Sequence, residues 1–177
     1  MEEQYDYSNC QSLFGYAQEV HQRSGGVCQL CDAGAGGDLS CDLWRQFTVE
    51  HLIGESQGGG YGEIKNAVAA KFPAFTKEQV AEFAEKIEIE NMVTACSFCN
   101  SMTSRDRHDV SMREIIDSAP RSPQGVLRAV QQQRDRALSR KRSDVQWKLT
   151  SVRDAFEATV RPALLAARRD ISRPTRP

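Results

Sequence analysis

The sequence contains no long apolar run, no secretory signal pattern and no internal repeat. A membrane-spanning helix needs about 20 predominantly apolar residues, and no stretch approaches that length. The first nine residues, MEEQYDYSN, are acidic and polar, whereas a signal peptide begins basic and continues apolar. We therefore expect a cytoplasmic protein. Its 177 residues are enough for one ordinary domain with its own hydrophobic core.

The charge is unevenly distributed along the chain, although its net value is only −1. Residues 1–120 contain 9 Lys and Arg against 19 Asp and Glu, whereas residues 121–177 contain 14 against 5. Twelve of those 14 basic residues are arginine, whose planar guanidinium group suits phosphate. The pattern predicts docking onto nucleic acid or onto an acidic partner surface. A solvated helix face explains any single arginine equally well.

Four of the six cysteines form two Cys-x-x-Cys pairs, Cys28 with Cys31 and Cys96 with Cys99. In a reducing compartment such pairs are more often metal ligands than disulfides. Four thiolates suffice for a closed, tetrahedral structural zinc site, which we favour over unligated cysteines. Because 64 residues separate the two pairs, the ends of that long segment must return to each other.

The first part of the chain reads as a helix followed by a strand. The stretch SLFGYAQEVHQR, residues 12–23, predicts a helix before the first cysteine pair. A strand is predicted within residues 43–53, with Phe47, Val49 and Ile53 on one alternating face. The glycine-rich stretch GESQGGG then ends this strand.

Residues 61–90 read as an inserted helical element. Thr76 with Gln79 three residues later forms a capping-box pattern at the start of a helix. Apolar residues then follow at helical spacing, namely Val80, Phe83, Ala84 and Ile87.

Beyond residue 120 the sequence predicts a basic helical extension of two long helices. Ser122 is a suitable N-cap with Pro123 in the first helical position. The second helix is expected to be disturbed at Pro162. We expect these helices to form a hairpin docked on the body or a homodimer interface. The two apolar stripes are Val126, Leu127, Val130, Ala137 and Leu138, and then Val145, Leu149, Val152, Phe156 and Val160.

The stretch TVEHLIGESQGGG between the cysteine pairs and the stretch NMVTACSFCN, which contains the second pair, together resemble the signature of the HNH endonucleases, the ββα-metal nucleases. In that family a Cys-x-x-Cys knuckle precedes an acidic-His-hydrophobic step, a loop, and an Asn-hydrophobic-x-x-x-Cys-x-x-Cys-His/Asn motif. The likeness covers residues 27–105. It implies an α+β, mainly helical fold, in which a ββα-metal, treble-clef-like zinc core over 1–120 carries the helical insertion and the C-terminal extension over 121–177.

The resemblance implies a role for each matching position. His51 corresponds to the general base that activates water, and Glu50 to a ligand of the catalytic divalent metal. Asn100 occupies the final His/Asn position as the second metal ligand, and Asn91 is the asparagine that braces the loop and orients the base. The family's fullest pattern has Asp where this chain has Glu50 and His where it has Asn100. These two departures from the family pattern affect the expected choice of metal more than the expected activity.

The chemistry of these residue types agrees with those roles. Free histidine has a pKa of about 6.5, so it accepts a proton from water at neutral pH. An all-oxygen pair of ligands favours Mg²⁺ or Mn²⁺ over a softer ion. The resemblance implies products with 5′-phosphate and 3′-hydroxyl ends. Because adjacent residues on a regular strand face opposite ways, Glu50 and His51 can serve one site only if the strand twists or ends there.

The remaining cysteines and histidines are given no role in the site. We expect Cys10 and Cys41 to be small apolar core residues, and His21 and His108 to be surface or packing histidines. Contact with DNA phosphates is predicted, without any base-reading motif, for Arg105, Arg107, Arg134, Arg140, Lys141 and Arg142.

The sequence thus predicts a metal-dependent endonuclease acting on DNA, with structural Zn²⁺ and catalytic Mg²⁺ or Mn²⁺. Restriction or phage defence is the expected setting, and a mobile-element or phage nuclease is the next. The alternative function is a non-catalytic zinc module that binds nucleic acid or protein through the basic extension.

Overall fold

A computed structural model describes residues 16–37, 39–102 and 110–171. The protein is mainly helical with one small sheet, which confirms the α+β, mainly helical class. None of the helices in the described ranges is long and apolar enough to cross a membrane. The elements are α1 (Tyr16–Arg23), α2 (Cys41–Trp44), β1 (Phe47–His51), α3 (Tyr61–Lys71), α4 (Lys77–Asn91), β2 (Met92–Cys96), α5 (Ser97–Met102), α6 (Met112–Ser118), α7 (Pro123–Ala155), a π-helical turn (Phe156–Val160) and α8 (Arg161–Ile171).

The sheet consists of β1 and β2 paired antiparallel, with Phe47 opposite Cys96 and His51 opposite Met92. Helix α5 begins at the residue after β2, so the order along the chain is strand, strand, helix. A helical insertion, rather than a tight turn, connects the two strands. The chain leaves the sheet at His51 and returns to it at Met92.

Helices α3 and α4 form that insertion. The predicted capping box is present at the start of α4: the Thr76 hydroxyl accepts from the Gln79 amide at 3.3 Å, and the Gln79 side chain accepts from the Thr76 amide at 2.9 Å. The predicted apolar face of α4 is buried. This face packs into the main core together with residues of α3, α6 and the first turns of α7, including Ile64, Phe83, Ile87, Ile116 and Val130.

Helix α7 is one continuous helix of 33 residues, so the prediction of two separate helices is wrong. Its first turn is capped as predicted, because the Ser122 hydroxyl accepts from the Gly125 amide at 3.1 Å. No glycine or proline lies between Val126 and Arg161, and nothing therefore interrupts the backbone ladder between the two apolar stripes. The predicted hairpin does not form within the described residues.

The helix is disturbed where the sequence predicts it, just before Pro162. Proline lacks an amide hydrogen and its ring crowds the carbonyl four residues earlier. The preceding turn, Phe156–Val160, widens to a π-helix and the chain continues as α8. From Val152 onward the apolar stripe is exposed, in contrast to the buried stripe of the first turns.

Candidate metal centre and active site

The four predicted cysteine ligands come together in one cluster. The sulfur atoms of Cys28, Cys31, Cys96 and Cys99 all lie within 4.8 Å of one another, and those of Cys31 and Cys96 are 3.9 Å apart. Tetrahedral zinc with Zn–S bonds of about 2.3 Å requires sulfur–sulfur distances of about 3.8 Å. The cluster can therefore hold a metal ion such as zinc.

Backbone geometry holds the first cysteine pair against the sheet. The Asp32 amide donates to the Cys28 carbonyl at 2.9 Å, and Asp32 itself adopts a left-handed conformation with φ of 61°. The Gln29 amide donates to the Thr94 carbonyl of β2 at 2.9 Å, and the Cys96 amide donates to the Cys28 sulfur at 3.3 Å. Cys28 and its partner Cys99 are fully buried.

The thiols hold their protons unequally. Hydrogen bonds from the Cys96 and Cys99 thiols lower the pKa of Cys28 well below its usual range. Burial raises the pKa of Cys31 to about 12, and the hydrogen bond to Cys28 raises the pKa of Cys99. The cluster thus favours the Cys28 thiolate and retains the protons of Cys31 and Cys99. A divalent cation that replaced those protons would convert the group to four thiolates, which couples metal binding to proton release.

Beside the cluster, a cavity of about 460 Å³ brings Glu50, His51 and Asn100 together. Strand β1 ends at His51, and the chain turns there into the glycine-rich loop. Glu50 and His51 consequently line one cavity although they are adjacent in sequence. The full lining comprises Val49, Glu50, His51, Leu52, Gly54, Glu55, Ser56, Gln57, Asn100 and Lys141.

His51 has a ring nitrogen that is buried and lacks a hydrogen-bond partner among the described residues. This atom, Nε2, lies 3.7 Å from Oε1 of Glu88 on α4. Glu88 is held in place because its Oε1 accepts from the Tyr61 amide at 2.9 Å. A buried nitrogen without a partner is uncommon in a folded protein and requires an explanation. Glu88 is the acidic side chain nearest to this nitrogen, at a distance too long for a hydrogen bond.

Glu50 forms an ion pair with Lys141, which reaches the cavity from α7. Both side chains are largely shielded, with exposures of 15% for Glu50 and 10% for Lys141. Lys141 lies on the core-facing side of α7, one turn from buried Ala137 on one side and from buried Val145 on the other. An apolar residue would be expected at this position from the helical periodicity.

Asn91 fixes the loop that follows β1. Its side-chain oxygen accepts from the Ile53 amide at 2.9 Å, and its side-chain nitrogen donates to the carbonyls of Ile53 at 2.9 Å and Gly59 at 3.3 Å. Asn91 is fully buried. The loop approaches so closely that a Cβ at Gly59 would lie 1.8 Å from the Ile53 carbonyl oxygen. Only glycine fits there, which explains part of the GGG stretch.

Asn100 is connected to β1 through Thr48. The Asn100 amide nitrogen donates to the Thr48 hydroxyl at 2.9 Å, and that hydroxyl donates to the Ala95 carbonyl of β2 at 3.1 Å. Since Thr48 lies two residues before Glu50 on the strand, the two share a face. This chain of hydrogen bonds positions α5 against the strand that carries Glu50.

The oxygen donors of the cavity suit a hard divalent cation. A carboxylate from Glu50 and a side-chain carbonyl from Asn100 are ligands that Mg²⁺ and Mn²⁺ accept, with several waters retained. The ammonium group of Lys141 on Glu50 shows that this point of the cavity already stabilises positive charge. The residues present therefore fit the cation that the sequence predicts.

The predicted DNA-contact residues are placed differently from one another. Arg134 pairs with Glu90 at 2.6 Å, and Arg142, whose side chain is 41% exposed, pairs with Asp32 at 2.8 Å. Carboxylates of the same chain thus engage these two and Lys141. Arg140 is exposed on α7, whereas Arg105 and Arg107 lie outside the described residues.

Two predictions about the remaining cysteines and histidines can be compared with the structure. Cys41 is exposed, so the prediction of a buried apolar residue is wrong. It begins α2, a single turn of helix that buries no residue. His21 is a packing histidine, buried with its Nδ1 3.0 Å from the Thr94 hydroxyl. Cys10 and His108 lie outside the described residues.

The sequence analysis missed two residues of the site, Thr48 and Glu88. Both occupy positions that periodicity could have indicated, because Thr48 shares a strand face with Glu50 and Glu88 is one helical turn before Asn91. Comparisons with protein-family models, with curated proteins and with solved structures found no match.

Proposed function

We propose that this chain is a metal-dependent endonuclease of the HNH type, with a ββα-metal, treble-clef-like core. It hydrolyses DNA phosphodiester bonds and leaves 5′-phosphate and 3′-hydroxyl ends. One observation carries the proposal: a single cavity collects Glu50 and His51 from the end of β1 and Asn100 from α5. Two further features agree with the proposal. The elements follow the order strand, strand, helix, and the cysteine cluster includes Cys99, the residue before Asn100.

Each residue of the cavity has a defined task in this reaction. His51, which lines the cavity, takes a proton from the attacking water. Glu50 and Asn100 hold Mg²⁺ or Mn²⁺, which supplies positive charge to the phosphate and to the leaving oxygen. Asn91 keeps the loop after His51 in place, so that the ring remains at the end of the strand.

In this proposal the cysteine cluster holds zinc and takes no part in the chemistry. Four sulfur ligands leave no open position for water or phosphate. The zinc instead fixes the start of α5, which carries Asn100, against the first cysteine pair. A metal site with only two protein ligands, Glu50 and Asn100, depends on such rigid support to keep those ligands in position.

DNA is the proposed substrate because the extension is basic and rich in arginine. Arg140 and Arg142 are the described members of the predicted contact set that retain exposed side chains, so we assign phosphate contact to them first. Restriction or phage defence is the setting we propose for the enzyme.

A homodimer formed through the C-terminal helix is part of the proposal. Val152, Phe156, Val160 and Leu164 recur every four residues and are 41–52% exposed. An antiparallel second copy would cover this stripe with its own apolar side chains. The charged residues in this part of the sequence are of both signs, namely Arg153, Asp154, Glu157, Arg161, Arg168, Arg169 and Asp170.

Sedimentation tests the dimer directly. We expect the wild-type chain to sediment as a dimer and the Phe156→Glu variant as a monomer, because a carboxylate would be buried in the helix pair. Ala158→Glu places the same charge on the opposite side of the helix and is the matched control. A wild-type monomer at all accessible concentrations would exclude this interface.

Plasmid cleavage tests the activity. Purified protein with Mg²⁺ or Mn²⁺ should nick or linearise a plasmid. Glu50→Gln and His51→Ala should abolish this while zinc content and circular dichroism stay unchanged. Glu63→Gln, an exposed carboxylate on α3, serves as the control and should cut normally. Wild-type protein that shifts DNA on a gel but never cuts it would instead favour the non-catalytic zinc module.

A further inference from the structure

Lys141 is the cationic side chain in the lining of the cavity, and the proposed reaction gives it no task. It is 9% exposed and bonds to Glu50, the proposed ligand of the catalytic cation. A buried ion pair seldom stabilises a fold more than apolar residues of similar size would. The neighbouring positions on the same face of α7, Ala137 and Val145, are indeed apolar and buried. The lysine at this position therefore requires a reason other than packing.

The position of Lys141 is determined by two hydrophobic clusters rather than by a loop. Val130 on α7 belongs to the main core, and Val145 on the same helix packs with Cys28, Cys99 and Phe47. The helix is anchored on both sides of Lys141, so the backbone of this residue is fixed. The long side chain can still rotate, since lysine has four rotatable bonds and three donors.

We propose that Lys141 exchanges partners during the reaction, from Glu50 to a phosphate of the DNA, and so makes metal binding and DNA binding depend on each other. This inference rests on the proposed nuclease function. Without DNA the ammonium group occupies a carboxylate oxygen that the divalent cation needs. A DNA phosphate entering the cavity offers the ammonium an alternative anion and releases Glu50 for the metal. Because binding free energies are linked, the metal must raise DNA affinity by the same factor.

The arrangement keeps the cavity electrically balanced at each stage. Glu50 without a cation would leave a carboxylate largely shielded from water, which is costly. A divalent cation and a lysine on the same carboxylate would repel each other. Exchange onto the phosphate avoids both situations. As a result, the divalent cation occupies Glu50 mainly when DNA is bound.

The exchange is tested by Mn²⁺ titration, with unbound Mn²⁺ followed by electron paramagnetic resonance. All proteins carry His51→Ala so that DNA is not cut, and a short duplex of arbitrary sequence is the probe. With Lys141 present, the duplex should tighten Mn²⁺ binding at least about tenfold. Lys141→Met should bind Mn²⁺ about tenfold more tightly without DNA and lose most of the DNA-dependent gain.

Three further proteins make the result specific. Glu50→Gln should abolish the Mn²⁺ binding, which assigns the signal to this cavity. Lys148→Met, two turns along α7 and paired with Asp144 at 2.6 Å, is the matched control and should behave like its parent. Lys141→Arg keeps the charge with a fork that suits a carboxylate, so Mn²⁺ should bind more weakly without DNA.

The outcomes separate this inference from the proposed function. If Lys141→Met binds Mn²⁺ no more tightly than its parent, and the wild type still cuts plasmid, the exchange is wrong and the nuclease proposal stands. If the wild type neither binds Mn²⁺ nor cuts, both are wrong. Zinc content and circular dichroism show whether Lys141→Met folds. If it does not, the exchange is decided by two other measurements: the effect of the duplex on Mn²⁺ affinity with Lys141 present, and the Mn²⁺ affinity of Lys141→Arg. A duplex that leaves Mn²⁺ affinity unchanged overturns the exchange.

Discussion

The cysteine cluster and the cavity share helix α5, which carries Cys99 and Asn100, but are built in opposite ways. The four sulfur atoms gather within 4.8 Å, and backbone hydrogen bonds from Asp32 and Cys96 hold the first pair. The cavity instead contains a carboxylate paired with a lysine, and beside it a histidine whose buried Nε2 has no hydrogen-bond partner among the described residues. One site is complete in its ligands, and the other leaves room for water and phosphate.

This difference shows how a small sheet can carry both a support and a reaction centre. The cluster should determine whether β2 and α5 fold against the rest, because metal binding to a site that forms only in the folded chain is coupled to folding. The cavity should contribute little to stability, since Lys141 already neutralises Glu50 in the absence of metal. Substitutions in the two sites should therefore have different consequences.

The largest effect is expected from Cys99→Ser. A structural zinc site contributes on the order of 10 kcal/mol, which is comparable with the whole stability of a domain of 5–15 kcal/mol. Loss of one ligand should therefore unfold the core and abolish both zinc binding and cleavage. Zinc content and thermal unfolding measure this. Cys41→Ser, at the exposed cysteine, is the control and should change neither.

Asn91→Ala should mainly reduce stability. It removes three hydrogen bonds to the loop backbone and leaves buried amide and carbonyl groups without partners, at a cost of about 3 kcal/mol. Cleavage should fall as well, because the loop after His51 is released, while zinc remains bound. Urea unfolding and zinc content decide this. An unchanged midpoint of unfolding would contradict the bracing role.

Asn100→Ala should reduce activity with little effect on stability. The variant loses a proposed metal ligand, so cleavage should fall about 100-fold, or ~2.7 kcal/mol of transition-state stabilisation. Stability should change by about 1 kcal/mol, the value of its hydrogen bond to Thr48. Asn66→Ala, on an exposed position of α3, is the matched control. Normal cleavage by Asn100→Ala would remove this residue from the site.

Thr48→Val should have the smallest effect. It deletes the hydroxyl that connects Asn100 to the Ala95 carbonyl, so Asn100 remains present but less well positioned. We expect the Mn²⁺ concentration for half-maximal cleavage to rise about tenfold, as for other groups that orient a metal ligand. Thr48→Ser should restore it. A merely structural role for Thr48 would not change the metal dependence.

The sequence predicted the features that depend on neighbouring residues. The cysteine pairs, the Thr76 capping box and the position of Pro162 each rest on spacings of a few residues, and each has its predicted structural consequence. Glu50 and His51 were predicted for one site, and their common cavity depends on β1 ending at His51.

Features that depend on distant residues were not predictable in this way. Lys141 was assigned to DNA because it lies in a basic run, whereas its partner Glu50 is 91 residues away in sequence. The two apolar stripes predict two helices, whereas one helix runs through both and carries Arg134 and Lys141. Both side chains form ion pairs on the inward face instead, so the stripe is continuous.

The use of different cations for different tasks by the two sites is tested most directly by chelation. Protein treated with EDTA and then dialysed should retain one zinc per chain and cut no plasmid. Added Mg²⁺ or Mn²⁺ should restore cleavage without changing the zinc content of the same sample. Cleavage that persists after chelation, or that returns with zinc alone, would contradict the separation of the cysteine cluster from the cavity.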